Sequence, residues 1–348
     1  MQLRHILCGL LLFIGGSAFT FAHAIELNPD HPNSYTVVKG DTLWDISSKF
    51  LNDPWLWPEI WHVNPDIENP HLIYPGDLIE LGFVDGKPVL TVQRGRPTVK
   101  LSPTTRATRI DQAIPTIPVS EIEQFLIRPR VLNTSEINSA AYIVASEDLR
   151  LVSGSGTKLY ARDLEADGNE LFSLFHIGEP FVDPTAENKN DALLGYEAIH
   201  VADLKLVREG DPATLLITSS KREALIGDKV LAREDNEFDQ NFIPRAPEND
   251  VSGQIIHVVD GVSRIGQYQV VVLNVGSEDG IEAGHVMTIS RSGAEVRDVF
   301  KNGETVLLPD EEVGTLMVFR PYEKLSYALI MKALRDIRLY DGVSTPES

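Results

Sequence analysis

The sequence predicts an α+β protein in which a small N-terminal β-α-α-β domain precedes two related β-rich, barrel-like units. Residues 35–81 change from strand periodicity to helix periodicity and back. Beyond residue 141 the chain consists mainly of short apolar runs separated by Gly and Asp turns, and part of this region repeats itself. A length of 348 residues also exceeds one ordinary domain and suggests two or three.

Residues 1–24 have the composition of a secretory signal peptide. A basic start at Arg4 is followed by an apolar run over residues 6–21, and the small residue Ala24 suits cleavage. An uncleaved membrane anchor is the alternative, but the run contains adjacent glycines and is shorter than the ~20 apolar residues of a membrane-spanning helix. We therefore expect export to a bacterial periplasm or cell wall, with no stable membrane insertion after cleavage.

Cysteine content and charge narrow the function classes. The single cysteine, Cys8, lies near the start of this leader, whereas a lipid-accepting cysteine would stand at its end. Without a thiol, the cleaved chain is expected to have no disulfide, thiolate metal site or cysteine nucleophile. The formal charge of −20 opposes phosphate backbones and anionic lipids, so we expect no nucleic-acid binding and no charge-driven membrane binding.

The N-terminal domain is predicted to begin with a strand and a helix. Residues 35–38 alternate as a short strand, and Gly40-Asp41 forms a turn. Thr42 or Asp41 then caps a helix. The apolar stripe of that helix follows the helical period and consists of Leu43, Trp44, Ile46, Ser47 and Phe50.

A second helix and a closing strand complete this domain. Pro54 suits the first turn of the helix, in which Trp57, Ile60 and Trp61 recur until Pro65 ends it. Residues 77–81 then alternate as a strand.

Three stretches of the domain carry a recognisable pattern: V-x-K-G-D-T-L-W-x-I-S at residues 37–47, Asn64-Pro65, and I-Y-P-G-D-x-I-x-L at residues 73–81. Together they resemble a LysM domain. The resemblance implies that N-acetylglucosamine-containing glycans bind in a shallow groove between the turn before the first helix and the loop before the last strand. The implied groove residues are Gly40, Asp41, Thr42 and Leu43 on one side and Asn64, Pro65, Ile73, Tyr74 and Pro75 on the other.

Two interpretations of these residues are open at this stage. An acetamido sugar needs hydrogen-bond donors and acceptors together with an apolar floor, and two facing loops can supply both. The alternative is that the glycines and prolines only shape turns and the tryptophans only fill the core. Trp44, in the middle of the helical stripe, is expected in the core, whereas Trp55 and Trp57 are open to either role.

Residues 83–140 are predicted to be a basic, proline-containing linker with short helices. Residues 86–110 carry six Lys and Arg side chains and no acidic residue. This basic stretch could contact the carboxylates of peptide stems, but a solvated hairpin and linker is the favoured interpretation. Pro115 and Pro118 indicate an extended connector, and Ser120 begins a capping box ahead of a short helix.

The C-terminal part of the chain contains an internal repeat. Residues 214–230 align on residues 327–343 without a gap, so that Asp228 corresponds to Asp341. An acidic, proline-containing stretch separates the two copies as a hinge. The predicted β-rich units are residues 141–235 and 250–348.

Catalytic candidates are few. The sequence contains no His pair with the spacing of a zinc peptidase and no nucleophile elbow. His176, His200 and His257 fall in or beside predicted strands, where a packed or half-exposed role is favoured. Paired carboxylates for glycan cleavage could still meet in space, but Glu165 and Asp167 flank a turn and are expected to be solvated.

The sequence therefore predicts a non-enzymatic peptidoglycan-binding protein of the exported, Gram-negative LysM type, with no cofactor and no metal site. Peptidoglycan glycan strands are the predicted partner. A cell-wall enzyme or another envelope protein is a candidate partner of the β units, which otherwise act as a scaffold. The alternatives are a peptidoglycan hydrolase or lytic transglycosylase with its carboxylates in the β region, and a regulator that recruits such an enzyme.

Overall fold

The computed structural model describes residues 25–61, 72–93, 113–118, 122, 130–147, 152–186, 188, 192–233, 242–259, 265–300 and 303–346. The predicted leader, Asn64, Pro65 and the Ser120 capping box lie outside these ranges, as does most of the basic stretch. Within the described ranges, no helix is long and apolar enough to cross a membrane.

The N-terminal domain has the predicted β-α-α-β order. Its helix α1 begins after Thr42, whose side-chain oxygen accepts a hydrogen bond from the amide of Asp45 at 3.0 Å. The first and last strands of this order are antiparallel, with Tyr35 opposite Ile79. The elements are β1 (Ser34–Thr36), α1 (Leu43–Phe50), a 3-10 turn (Pro54–Leu56), α2 (Trp57–Ile60) and β2 (Leu78–Val84).

The apolar stripe of α1 and the tryptophans form one core. All five stripe residues are buried, as predicted. Trp44, Trp55, Trp57 and Trp61 belong to the same buried cluster, each with at most 7% of its surface exposed. The rings of Trp57 and Trp61 meet edge to face with their centroids 6.0 Å apart. The tryptophans therefore fill the core and do not line an open glycan site.

The N-terminal sheet contains a third strand in a stretch that the sequence placed in the linker. Strand β3 (Lys87–Gln93) pairs antiparallel with the whole of β2. Asp85 and Gly86 connect the two strands with φ values of 51° and 77°, a geometry that an Asp-Gly turn favours in tight hairpins. Leu90 is fully buried because it joins the core of α1 and α2. We use "N-terminal domain" for residues 34–93 below, past the predicted boundary at residue 82.

The first β unit is a sheet whose pairings close into a ring. Strand β8 pairs with β7 on one side and with β9 on the other, so that β5 to β10 form the ring, and β4 adds to β8. Helix α3 (Thr134–Ser139) follows β4. The strands are β4 (Arg130–Leu132), β5 (Ala141–Ser146), β6 (Lys158–Arg162), β7 (Leu171–Val182), β8 (Leu193–Arg208), β9 (Ala213–Ser220) and β10 (Lys229–Ala232).

The second β unit is a closed six-stranded barrel. A separate hairpin of β14 (Glu295–Asp298) and β15 (Glu304–Leu307) is inserted between its third and fourth strands. The barrel strands are β11 (Ser252–Val258), β12 (Val270–Leu273), β13 (Val286–Arg291), β16 (Glu311–Pro321), β17 (Ser326–Ala333) and β18 (Gly342–Ser344).

The two β units share one order of strand pairing. In each ring of six, the first strand pairs with the second and the sixth, the second with the fifth, the fifth with the fourth, the fourth with the third, and the third with the sixth. The six strands of each ring exclude β4 in the first unit and the hairpin β14–β15 in the second. The predicted α+β class, with a β-α-α-β domain ahead of a β-rich region, is confirmed. The internal repeat and the bounds of its copies stay predictions, which this common order supports.

The wall of the barrel is apolar on both faces. Along β12, Val271 and Leu273 belong to a core with members from all six barrel strands. Val270 and Val272 belong instead to the cluster that contains the core of the N-terminal domain. Because successive side chains of a strand point to opposite faces, the second pair lies on the outside of the barrel. The N-terminal domain therefore covers apolar surface on the barrel's outer face.

Polar contacts accompany this packing. The hydroxyl of Tyr268 donates to the carboxylate of Asp45 in α1 at 2.9 Å. The ammonium group of Lys332 donates to the carbonyl of Asn52 at 3.3 Å. These bonds set the orientation of α1 relative to the barrel.

The first β unit contacts the same outer face through the end of β7. The ring of Phe181 meets that of Tyr327 edge to face, with centroids 6.4 Å apart. Close by, the side-chain amide of Asn274 donates to the carboxylate of Asp183 at 2.9 Å. The barrel is thus the part of the molecule against which the other two pack.

Gly276 provides a test of this barrel's close packing. An alanine Cβ at this position would lie 2.4 Å from the backbone carbonyl oxygens of Tyr322 and Glu323. We expect Gly276→Ala to lower the free energy of unfolding by about 1–3 kcal/mol, as overpacking does. Thermal unfolding followed by circular dichroism measures the effect. The matched control is Gly266→Ala, whose nearest neighbour is a side-chain atom 4.0 Å away. Equal melting temperatures for the two variants would contradict the close packing.

Candidate functional site

The turn before α1 forms one wall of the predicted groove and is held by Asp41. Its carboxylate accepts hydrogen bonds from the amide of Val38 at 2.9 Å and from the hydroxyl of Tyr35 at 3.0 Å. Burial of the phenol is the larger cause, and this bond to Asp41 the next, of a raised pKa for Tyr35 relative to its ordinary value. Tyr35 therefore remains a protonated donor, and Asp41 shapes the turn through contacts within its own wall.

The loop before β2 forms the opposite wall. The carboxylate of Asp77 accepts a hydrogen bond from the amide of Tyr74 at 3.0 Å, which closes the loop on itself. Two backbone bonds then join this wall to the first strand, from the amide of Gly76 to the carbonyl of Val37 at 2.8 Å and from the amide of Val37 to the carbonyl of Asp77 at 2.9 Å. The two walls are therefore fixed relative to each other by main-chain contacts.

A stretch from the predicted linker lies between these walls. We call residues 113–118 the groove segment. The carbonyl of Pro115 accepts a hydrogen bond from the amide of Leu43 at 3.0 Å, and the carbonyl of Thr116 accepts one from the amide of Trp44 at 3.0 Å. On the other side, the amide of Ile114 donates to the carbonyl of Ile73 at 2.8 Å. The segment thus connects the start of α1 with the loop before β2.

The contacts to α1 have a simple cause. The first amides of an α-helix have no partner inside the helix and need an external acceptor. Thr42 supplies that acceptor for Asp45 from within the turn. The carbonyls of Pro115 and Thr116 supply it for the two amides before Asp45. This wall of the groove therefore binds the carbonyl oxygens of peptide groups through the first amides of α1.

Burial of the predicted groove residues follows from this arrangement. Thr42, Leu43 and Ile73 have at most 3% of their surface exposed. Asp41, Tyr74 and Pro75 are half-buried, and Gly40 is exposed. Of these seven residues, Leu43 and Ile73 make backbone hydrogen bonds to the groove segment, and the others lie beside them in the two walls. Asn64 and Pro65 lie outside the described residues, and the glycan-binding role of the set stays a prediction.

The sequence interpretation missed the groove segment itself. It identified Pro115 and Pro118 as signs of an extended connector, which leaves out the apolar residues between and beside them. Ile114 is 7% exposed and Ile117 is completely buried in the core that also contains Leu43. Two isoleucines three positions apart in a stretch rich in Pro and Thr were the available signal.

A cleft of about 880 Å³ in the first β unit is the place to look for a catalytic carboxylate pair. Its lining includes Asp163, Glu165, Asp167, Glu209 and Asp211, which are all exposed to solvent. Carboxyl groups that act as acids in glycan cleavage usually have a raised pKa, which requires burial or a neighbouring charge of the same sign. Within the described part of the chain, no three His, Cys, Asp or Glu residues are grouped as a metal site.

The histidines singled out in the sequence take part in packing. A ring nitrogen of His176 is 2.9 Å from the carboxylate of Asp228, and one of His200 is 3.1 Å from that of Asp203. The ring of His257 meets Phe181 with centroids 5.5 Å apart. These contacts agree with the packed or half-exposed role that was favoured for them.

Thr42 links the stability of α1 to the shape of the groove. We expect Thr42→Ala to cost about 1 kcal/mol, because the amide of Asp45 loses its capping oxygen. Hydrogen exchange of the α1 amides measures this as faster exchange at Asp45 and its neighbours. Ser48→Ala, an exposed hydroxyl of the same helix, is the matched control. Unchanged exchange at Asp45 in Thr42→Ala would contradict the capping role.

Comparison with known proteins identifies the N-terminal module. Residues 35–81 match the family model of the LysM domain. Over 60 residues the chain is 42% identical to "Uncharacterized protein YqbP" of Bacillus subtilis (strain 168), a match that covers 14% of this chain and 27% of that protein. LysM domains in general bind peptidoglycan and related N-acetylglucosamine-containing glycans. The chain therefore contains a LysM domain at residues 35–81, whose predicted groove holds residues 113–118.

Proposed function

We propose that this protein binds peptidoglycan without cleaving it, through the groove of its LysM domain. The observation that supports this most directly is the set of backbone groups in the groove: the amides of Leu43 and Trp44 as donors and the carbonyl of Ile73 as acceptor. In the structure these groups hold the peptide amides of residues 113–118. The N-acetyl group of a glycan is also an amide, with one carbonyl, one N–H and an apolar methyl group. The same groove can hold it.

Affinity for a single sugar is expected to be weak. A shallow groove buries little of a ligand's surface, and a few hydrogen bonds exchanged with water give only about 0.5–1.5 kcal/mol each. A glycan strand repeats the same unit many times, so rebinding along the polymer raises the overall affinity. Insoluble peptidoglycan is therefore the substrate on which the function is measured most directly.

We further propose that the protein acts in the periplasm or at the cell wall, as an exported protein of the Gram-negative type. The composition of residues 1–24, with a basic start, an apolar run and a small residue at Ala24, supports export. The acidic charge of −20 leaves an uncharged glycan as a better partner than nucleic acid or anionic lipid.

The β units are proposed to act as a scaffold or to bind a cell-wall enzyme or envelope protein. The inserted hairpin supports the second role. Its residues Val299 and Phe300 are 79% and 95% exposed, and Leu307 is 65% exposed. Large exposed apolar side chains on one hairpin are the kind of surface that protein contacts use.

A peptidoglycan hydrolase or lytic transglycosylase is the second candidate. The acidic cleft of the first β unit is the feature that favours it. Its carboxylates are solvent-exposed, and this argues for binding as the first choice.

Sedimentation with insoluble peptidoglycan tests the binding function. The variant is Pro75→Asp, which places a charge on the half-buried rim of the groove. We expect roughly tenfold weaker binding, a change equivalent to ~1.4 kcal/mol. The matched control is Pro88→Asp, the same substitution at a half-buried position in the β2–β3 hairpin. Equal sedimentation of both variants would place glycan binding elsewhere on the protein.

The same tubes separate binding from cleavage. If the protein only binds, the supernatant contains no soluble muropeptides after prolonged incubation, while the protein itself sediments. Release of muropeptides would contradict the proposal that the protein does not cleave peptidoglycan and would favour the hydrolase. Asp163→Asn and Glu209→Gln would then test the cleft, since both residues line it.

A further inference from the structure

We propose that the groove segment, residues 113–118, is an internal ligand of the LysM domain, so that a glycan binds only after the segment has left the groove. This inference rests on the proposed glycan-binding function and adds a competition that controls it. The segment is a part of the same chain, and its contacts with the groove are present in the structure.

The segment and a glycan need the same atoms of the groove. The amide of Leu43 donates to Pro115 at 3.0 Å, and the amide of Trp44 donates to Thr116 at 3.0 Å. Each backbone N–H is a single donor. These amides cannot bind an acetamido carbonyl while the segment occupies them.

The opposite wall is engaged in the same way. The carbonyl of Ile73 accepts from the amide of Ile114 at 2.8 Å. An acetamido N–H would need this acceptor. The segment therefore satisfies donors on one wall and an acceptor on the other, the pair of functions that an N-acetyl group would supply.

The segment also places two isoleucines in the apolar core beside the groove. Ile114 and Ile117 are 7% and 0% exposed and belong to the cluster that contains Leu43, Trp44 and Ile73. A sugar ring or an acetamido methyl also needs apolar surface in the groove. The buried isoleucines hold the segment in the groove, so that a glycan must displace apolar side chains as well as hydrogen bonds.

Competition by the segment lowers the apparent affinity for a glycan. When only a fraction of the molecules has an open groove, the apparent dissociation constant is the intrinsic one divided by that fraction. A ligand on the same chain competes at an effective concentration well above that of a dilute solute. The segment therefore needs only modest intrinsic affinity to exclude dilute sugar. A glycan polymer, which presents many acetamido groups together, is the form of ligand that displaces it.

Calorimetric titration of the full chain with chitohexaose, a soluble hexamer of N-acetylglucosamine, tests the competition. The variant Ile114→Ser/Ile117→Ser weakens the segment's hold on the groove floor. We expect its dissociation constant to be at least about tenfold lower than that of the unmodified chain. The control is Ile122→Ser, which removes an equally buried side chain from the same cluster but lies outside the groove segment. It should bind with unchanged affinity.

The outcomes distinguish this inference from the function on which it rests. Equal affinities in the unmodified chain and the double variant would overturn the internal-ligand proposal and leave glycan binding in place. Absence of binding in both, with fast exchange at residue 114 of the variant showing that the segment has left, would overturn glycan binding and the competition together. Tighter binding in the double variant, with unchanged binding in Ile122→Ser, supports both glycan binding and the competition.

A second measurement uses the unmodified chain and so does not depend on a variant that folds. Hydrogen exchange is followed at single residues with and without saturating chitohexaose. We expect the amide of Ile114 to exchange at least about tenfold faster with the sugar, because its acceptor on Ile73 has been taken over. The amides of Leu43 and Trp44 should stay protected, since the sugar replaces the segment as their acceptor. An Ile114 amide that remains protected at saturation would show that the segment stays in place, and would overturn the proposal.

Discussion

The unpaired amides at the start of α1 are the constraint on which the functional part of this structure depends. A helix leaves its first N–H groups without internal acceptors, and they must find oxygen elsewhere. Thr42 serves one of them, and the carbonyls of Pro115 and Thr116 serve the two before it. This end of α1 therefore binds carbonyl oxygens. In this structure a distant stretch of the same chain provides those carbonyl groups.

Packing against the barrel of the second β unit determines the orientation of this groove. Its strand β12 is buried along its whole length because the barrel core lies on one face and the rest of the protein on the other. The bond from Tyr268 to Asp45 attaches α1 to that outer face. Phe181 brings the end of β7 to the same region. The LysM domain is therefore docked on the β region, which fixes the orientation of its groove relative to the barrel.

The two rings of strands share one side-chain hydrogen bond at positions that correspond in the predicted repeat. In the first, the carboxylate of Asp228 accepts from the amide of Leu225 at 2.8 Å. In the second, Asp341 accepts from the amide of Arg338 at 2.8 Å. The partner on the third strand differs: His176 contacts the first aspartate, and Arg291 contacts the second. Burial of a carboxylate is costly unless it is hydrogen-bonded, so a buried aspartate at the same turn of both rings is an uncommon coincidence. It supports descent of both rings from one unit.

The elements that the sequence predicted well are those whose signal lies in side chains. The stripe of α1 and its cap, predicted at Thr42 or Asp41, depend on residue type at fixed spacing, and the structure confirms the stripe and has the cap at Thr42. The LysM pattern is a signal of the same kind, and the family model matches it at residues 35–81. The basic stretch was interpreted as a solvated hairpin and linker, so the Asp85-Gly86 turn was consistent with it, but the pairing of β3 with β2 in the N-terminal sheet was not predicted. The groove segment is a different case. It binds through its backbone, which any residue except proline can supply in full, so only the two buried isoleucines marked it in the sequence. A motif that identifies a binding groove therefore says which groups the groove presents, while the occupant of the groove follows from the path of the whole chain.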